Sequence, residues 1–135
     1  MTRTLNDHVI TEADAVLKIT VEDAPGAGGA SHHYSVTGFD TRDNPARETA
    51  EGYSRSFATL PIIFQNGPVA EAGVNGVTQE VLLTVVLDRL RSFQKGEYAC
   101  KANACAITHI EESLHWLQQR TIERMRRGVE GTSQA

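Results

Sequence analysis

Residues 78–127 read TQEVLLTVVLDRLRSFQKGEYACKANACAITHIEESLHWLQQRTIERMRR. Thr78 is a good N-cap, and Gln79 and Glu80 follow in a first turn, where a carboxylate suits the helix dipole. The first helix is predicted to run to about Lys95 and to stop at Gly96. Its apolar residues are Val81, Leu82, Leu83, Val85, Val86, Leu87, Leu90 and Phe93. That is too many for one face, and a helix apolar nearly all round is covered on several sides. In a chain of 135 residues a neighbouring subunit is the simplest cover. A second helix is predicted from about Tyr98 to Arg127, with Ala99, Ala102, Ala106, Ile110, Leu114, Leu117, Thr121 and Met125 as its inner stripe. The short link around Gly96 makes the pair an antiparallel hairpin, and Gly128 ends it.

Upstream of Thr78 the signals are those of strands and turns. Residues 14–21 and 33–39 read as two strands joined by the loose glycine-rich loop Ala24–Ala30, a hairpin. Residues 40–56 read as an exposed excursion. Residues 57–65 read as a further strand, with Pro61 marking an edge or bulge. Asn66-Gly67-Pro68 is a turn, and Val69–Val74 reads as a short strand before Asn75-Gly76. The expected class is α+β, with a small N-terminal antiparallel β-sheet and a C-terminal antiparallel helical hairpin. The expectation is one domain over 1–135, β-rich over 14–76, helical over 78–127, with a tail at 128–135.

The formal net charge is −4, which argues against a general binder of polymeric nucleic acid. The charge is unevenly placed. Residues 1–80 carry five basic against eleven acidic side chains, and residues 81–135 carry eight against six. An anionic ligand therefore favours the C-terminal half. Cys100 and Cys105 lie five apart in a helical stretch and do not suit a disulfide with each other, which fits a reducing cytoplasm. The N-terminus lacks a signal pattern, and no apolar run approaches the ~20 residues of a membrane span.

Several groups have side chains of the kind used in metal or catalytic sites. Glu112 and His115 have the Glu-x-x-His spacing of di-iron bundles, but only one copy is present. With His109 and Glu111 they read first as a solvated helix face. Cys105 with His109 gives two metal ligands where a structural zinc site needs four. His32-His33 point to opposite faces of a strand. Neither a nucleophile elbow nor a phosphate-cradling lysine loop is present, so no catalytic residue, metal site or cofactor is assigned. Phe64-Gln65-Asn66-Gly67-Pro68 and Gly73-Val74-Asn75-Gly76 place an aromatic ring and amides before a helix N-terminus, and Arg89 and Arg91 follow on that helix. A ring for a base, amides for ribose or base edges and guanidinium for phosphate are what a nucleotide needs. Arg120, Arg124 and Arg127 share a face beside the Gly128–Thr132 tail. They suit either the helix dipole or a second anion.

Phe64–Pro68, Gly73–Thr78, Leu87–Gln94, Ala104–Leu117, Arg120-Thr121 and Arg127–Thr132 together resemble the phage Thoeris anti-defence type-one sponges over roughly residues 32–132. The hairpin is also similar to that of anti-CBASS sponges. The resemblance implies assembly through the helices, a hexamer in some relatives, and action in the cytoplasm of the infected bacterial host. It implies capture, without cleavage, of a cyclic ADP-ribose isomer near Phe64, Gln65, Asn75, Arg89 and Arg91. It implies a second site for cyclic di- or trinucleotides near Arg124, Arg127, Gly131 and Thr132. Cys100, Cys105 and His109 depart from the pattern, and the first thirty residues lie outside it. Two other readings remain open on the residues themselves: a nucleotide-processing hydrolase using His109, Glu112 and His115, and a non-catalytic oligomeric phage accessory protein.

Overall fold

The computed structural model describes residues 2–49 and 58–135. The chain groups into two compact units, Met1–Asn66 and Gly67–Ala135. Among the described residues the first holds four strands, β1 (Arg3–Leu5), β2 (Lys18–Val21), β3 (His33–Thr37) and β4 (Leu60–Ile63). They pair in chain order, each antiparallel to the next. Leu5 faces Ile19, Val21 faces Tyr34 and Ser35 faces Pro61. Pro61, which has no N–H to donate, sits on the edge strand β4 as its chemistry requires. Val21, on a central strand, is 1% exposed.

The turn between β2 and β3 is tightly held, where a loose loop was expected. The Asp23 carboxylate accepts the backbone N–H groups of His32 and His33 at 3.0 Å, and the Ser31 hydroxyl donates to the Asp23 carbonyl at 3.0 Å. The His33 N–H, chiefly, holds the Asp23 carboxyl below its ordinary value; partial burial opposes this and the His32 N–H adds to it. Residues 14–21 are likewise not one strand. Asp14–Val16 form a single 3₁₀ turn because the Asp14 carboxylate gathers the N–H groups of Ile10 and Thr11. Strand β3 ends before Gly38, whose φ of +97° breaks the pleat. Of the expected 57–65 strand, residue 57 lies outside the described residues, as do residues 50–56 of the expected excursion; residues 45–49 form a 3₁₀ turn.

The second unit holds α1 (Val69–Ala72), α2 (Gln79–Gln94) and α3 (Lys101–Arg126). Val69–Val74 is therefore not the strand expected. Pro68 caps a helical turn there, its carbonyl accepting from Glu71 and Ala72 at 3.0 and 2.8 Å. Two alanines and a glutamate favour the helix, and a six-residue pattern cannot separate the periods. Thr78 caps α2 as expected, its hydroxyl accepting from the Val81 N–H at 3.3 Å. Gln94 clasps the interhelical turn from both sides: its amide donates to the Cys100 carbonyl and accepts the Cys100 N–H, each at 3.1 Å. The Cys100 thiol caps α3, accepting from the Asn103 N–H at 3.4 Å.

The hairpin packs through Leu82, Leu83, Leu87 and Leu90 of α2 and Ala106, Ile110, Leu114, Leu117 and Thr121 of α3, all buried or half-buried. Leu87 is 3% exposed. The α3 stripe departs from expectation at its end, where Arg124 turns inward and Met125 outward. Ala99 and Ala102, expected in the stripe, are exposed. No helix among the described residues is long and apolar enough to cross a membrane.

Candidate functional site

Phe64 follows β4 and extends its pairing, its N–H donating to the His32 carbonyl at 2.8 Å. Its half-buried ring meets Tyr34 edge to face, centroids 5.5 Å apart. Such a contact braces the Phe64 ring against its neighbour. Gln65 comes next and is half-buried. Both belong to the first unit. Asn75, exposed between α1 and α2, belongs to the second, with Arg89 and Arg91 on α2.

The two arginines lie two residues apart, so a helix sends them in different directions. The Arg89 guanidinium lies over the Phe93 ring, 5.0 Å from its centroid. Arg91 donates to Glu111 on α3 at 2.8 Å, with about half of each side chain exposed. An ion pair this open is worth only about 0–1 kcal/mol. The sequence reading missed Glu111 as a partner; the signal for it is an opposite charge facing Arg91 across an antiparallel hairpin.

The end of α3 brings the chain after Gly128 back onto Arg124. Gly128 takes φ +70°, the Val129 N–H donates to the Arg124 carbonyl at 3.0 Å, and the Gly128 N–H to the Met125 carbonyl at 3.0 Å. This glycine-terminated pattern turns the chain back over its last helical turn. Arg124, only 11% exposed at its side chain, fastens the returning chain. It donates to Glu130 at 3.2 Å, to the Val129 and Thr132 carbonyls at 3.0 and 3.1 Å, and to the Gln134 carbonyl. The Thr132 N–H donates to the Val129 carbonyl at 3.1 Å, and the Gly131 carbonyl accepts from Ala70 at 3.0 Å. Arg120, Glu123, Arg124 and Arg127 line a cavity of about 280 Å³ beside it.

Most of the Arg124 donors thus serve the tail, and among these side chains Arg120 and Arg127 are the more open cations. Sequence reading missed the Glu130 partner. Gly128 was the available signal, because a helix closed by glycine brings the next four residues back onto it. Arg124→Met is expected to loosen residues 129–132, since hydrogen bonds to a charged group stabilise by about 1.5–3 kcal/mol. Amide exchange at Val129 and Thr132 should accelerate at least about tenfold, an effect of the size those bonds imply. Unchanged exchange would show that the glycine turn alone holds the tail.

Among the described residues, no three His, Cys, Asp or Glu side chains cluster as a metal site requires. Cys100 and Cys105 are both exposed free thiols. The His115 ring stands edge to face with Trp116 at 5.6 Å.

Residues 59–121, which cover α2, most of α3 and the chain leading into them, match the family described as "Acb2/Tad1, hairpin domain". The chain is also 48% identical over 89 residues to a protein named "Thoeris anti-defense 1" from Bacillus phage SBSphiJ7. That match covers 66% of this chain and 61% of the relative, so the chain spans about three-fifths of the length of the curated relative it matches. With the capped and clasped antiparallel hairpin found within the same residues, residues 59–121 are similar in sequence and in build to the Acb2/Tad1 hairpin domain.

Proposed function

We propose that this protein is a phage anti-defence sponge, acting inside the infected bacterial host, that binds a cyclic nucleotide signal and releases it chemically unchanged. The observation that carries the reading is the 48% identity to a protein named for Thoeris anti-defence, together with the family match on the hairpin. The proposed first ligand is a cyclic ADP-ribose isomer. Phe64 offers a ring face to its base, Gln65 and Asn75 offer polar groups to base or ribose, and Arg89 and Arg91 offer charge to its phosphates. A cyclic di- or trinucleotide is the proposed second ligand, at Arg127, Gly131 and Thr132, with Arg124 ordering the tail they belong to. The proposed working form is a homo-oligomer, a hexamer by preference.

Calorimetry with a cyclic ADP-ribose isomer tests the reading. Phe64→Ala is expected to weaken binding by about 1–3 kcal/mol through lost stacking. Arg91→Ala should weaken it by about 1.5–3 kcal/mol through a lost charge-assisted bond. Glu111→Gln should tighten it, because the competing carboxylate is gone. After heat denaturation the ligand should be recovered whole, as stoichiometric capture requires. Linear ADP-ribose that accumulates with time beyond a protein-free control would instead make the protein an enzyme. Failure to bind any cyclic nucleotide would leave an accessory oligomer.

A further inference from the structure

The cavity beside the last turn of α3 is lined by Arg120, Glu123, Arg124, Arg127 and Ala135. Its volume of about 280 Å³ falls just short of the roughly 300–1,000 Å³ of sites for whole small molecules. It therefore suits one phosphoryl group with its sugar, as one link of a larger ligand. Arg120, Glu123 and Arg127 recur at spacings of three and four, so they share one face of the helix and its last turn.

The three guanidinium groups are not equally available. Arg124 donates to Glu130 and to the carbonyls of Val129, Thr132 and Gln134. Arg127 donates to the Ala135 carbonyl. Arg120 is exposed, and no ion pair among the described residues engages it. Glu123 is likewise exposed and enters no ion pair among the described residues, although an arginine stands three residues before it and another four after. The cavity thus presents an uncommitted cation with a carboxylate about 5–6 Å along the helix surface from it.

That arrangement discriminates by charge. A phosphodiester carries one negative charge, and a terminal phosphomonoester carries about 1.5–2 at pH 7. Coulomb energy scales with charge, so a guanidinium alone favours the monoester, and a neighbouring carboxylate opposes it by the same rule. Cyclic nucleotides with 3′,5′ links hold only diesters, whereas a 5′-phosphorylated linear nucleotide also carries a monoester.

We propose that Arg120 is the principal phosphate-binding side chain for the second ligand, and that Glu123 lowers the affinity for linear nucleotides relative to cyclic ones. The proposal rests on there being a cyclic oligonucleotide ligand at this end of α3.

Calorimetry tests it with cyclic di-AMP and cyclic tri-AMP, each beside its linear 5′-phosphorylated counterpart, pApA or pApApA. Both side chains are exposed, so the variants should fold as the unaltered protein does. Arg120→Gln should weaken the cyclic probes at least about tenfold, as loss of a charge-assisted bond implies. Glu123→Gln should tighten the cyclic probes about threefold and the linear ones about tenfold, the effect of one and of two charges at this separation in a water-like medium. Cyclic probes that bind Arg120→Gln as tightly as the unaltered protein would overturn this proposal alone. So would equal gains for cyclic and linear probes in Glu123→Gln. If neither cyclic probe binds the unaltered protein at millimolar concentration, the second ligand and this proposal fail together.

Discussion

Gly38→Ala is expected to unfold the sheet unit or to lower its melting point more than any other single glycine change here. The residue stands at φ +97°, where L side chains are strained. A Cβ built on it would lie 1.8 Å from the Val16 carbonyl oxygen, 2.8 Å from its carbon and 3.3 Å from the Leu17 Cα. All three are backbone atoms, so no rotamer change relieves the overlap. Strain of about 1–3 kcal/mol adds to a displacement of the chain leading into β2, and a total above about 4 kcal/mol is expected. Gly28→Ala is the control. It has φ +75° but open space around its Cβ position, so it carries strain without collision and should cost about 1 kcal/mol. Thermal melts of the two variants decide the matter. If Gly38→Ala melts within a degree or two of Gly28→Ala, the close approach to Val16 is wrong.

Val85→Asp is expected to break assembly while leaving the hairpin helical. Only Val21 and Leu87 are buried apolar side chains among the described residues. On α2 the outer residues Val81, Val85, Val86 and Phe93 remain exposed, Val85 by 63%, and on α3 Trp116 is 70% exposed. Apolar surface in this amount on a helix already packed on one side is what a second copy covers. A carboxylate at Val85 would then be buried unpaired, and association should weaken by at least about 3 kcal/mol, more than a hundredfold. Light scattering after gel filtration should find the unaltered protein as a dimer or larger and the variant as a monomer near 14.7 kDa. A monomeric parent at micromolar concentration, or a variant with the parent's mass, would refute the interface.

The hairpin was legible because its determinants are local. Thr78 precedes a helix that it caps, Gly96 interrupts the period, and the α3 stripe from Ala106 to Thr121 follows simple spacing. Legibility failed where a residue's role depends on chain brought back from further away. Arg124 reads as an open basic residue until the Gly128 turn carries Val129, Glu130 and Thr132 onto it. Asp23 reads as a loop acid until β2 and β3 are in register and bring the His32 and His33 N–H groups to it. β1 has three residues, too few for a period, and Val69–Ala72 is too short to tell strand from helix. At the candidate site, Phe64, Arg89 and Arg91 could be named as residue types with suitable chemistry. The edge contact from Tyr34, the stacking on Phe93 and the Glu111 counter-charge required the fold.

The Gln94 clasp on Cys100 has a kinetic side. It joins residues six apart, and the helices it links meet through contacts that begin at that turn and spread outward. Closing a loop of this length takes on the order of tens of nanoseconds, and helix growth is comparably fast. The sheet must instead bring Val36 to Leu60 across twenty-three intervening residues before β4 has a partner. Structures made of local pairings form sooner than those that wait on distant ones. As the chain folds, the helical hairpin should therefore take shape first, and its exposed valines will be available to another copy while the sheet is still searching for its register.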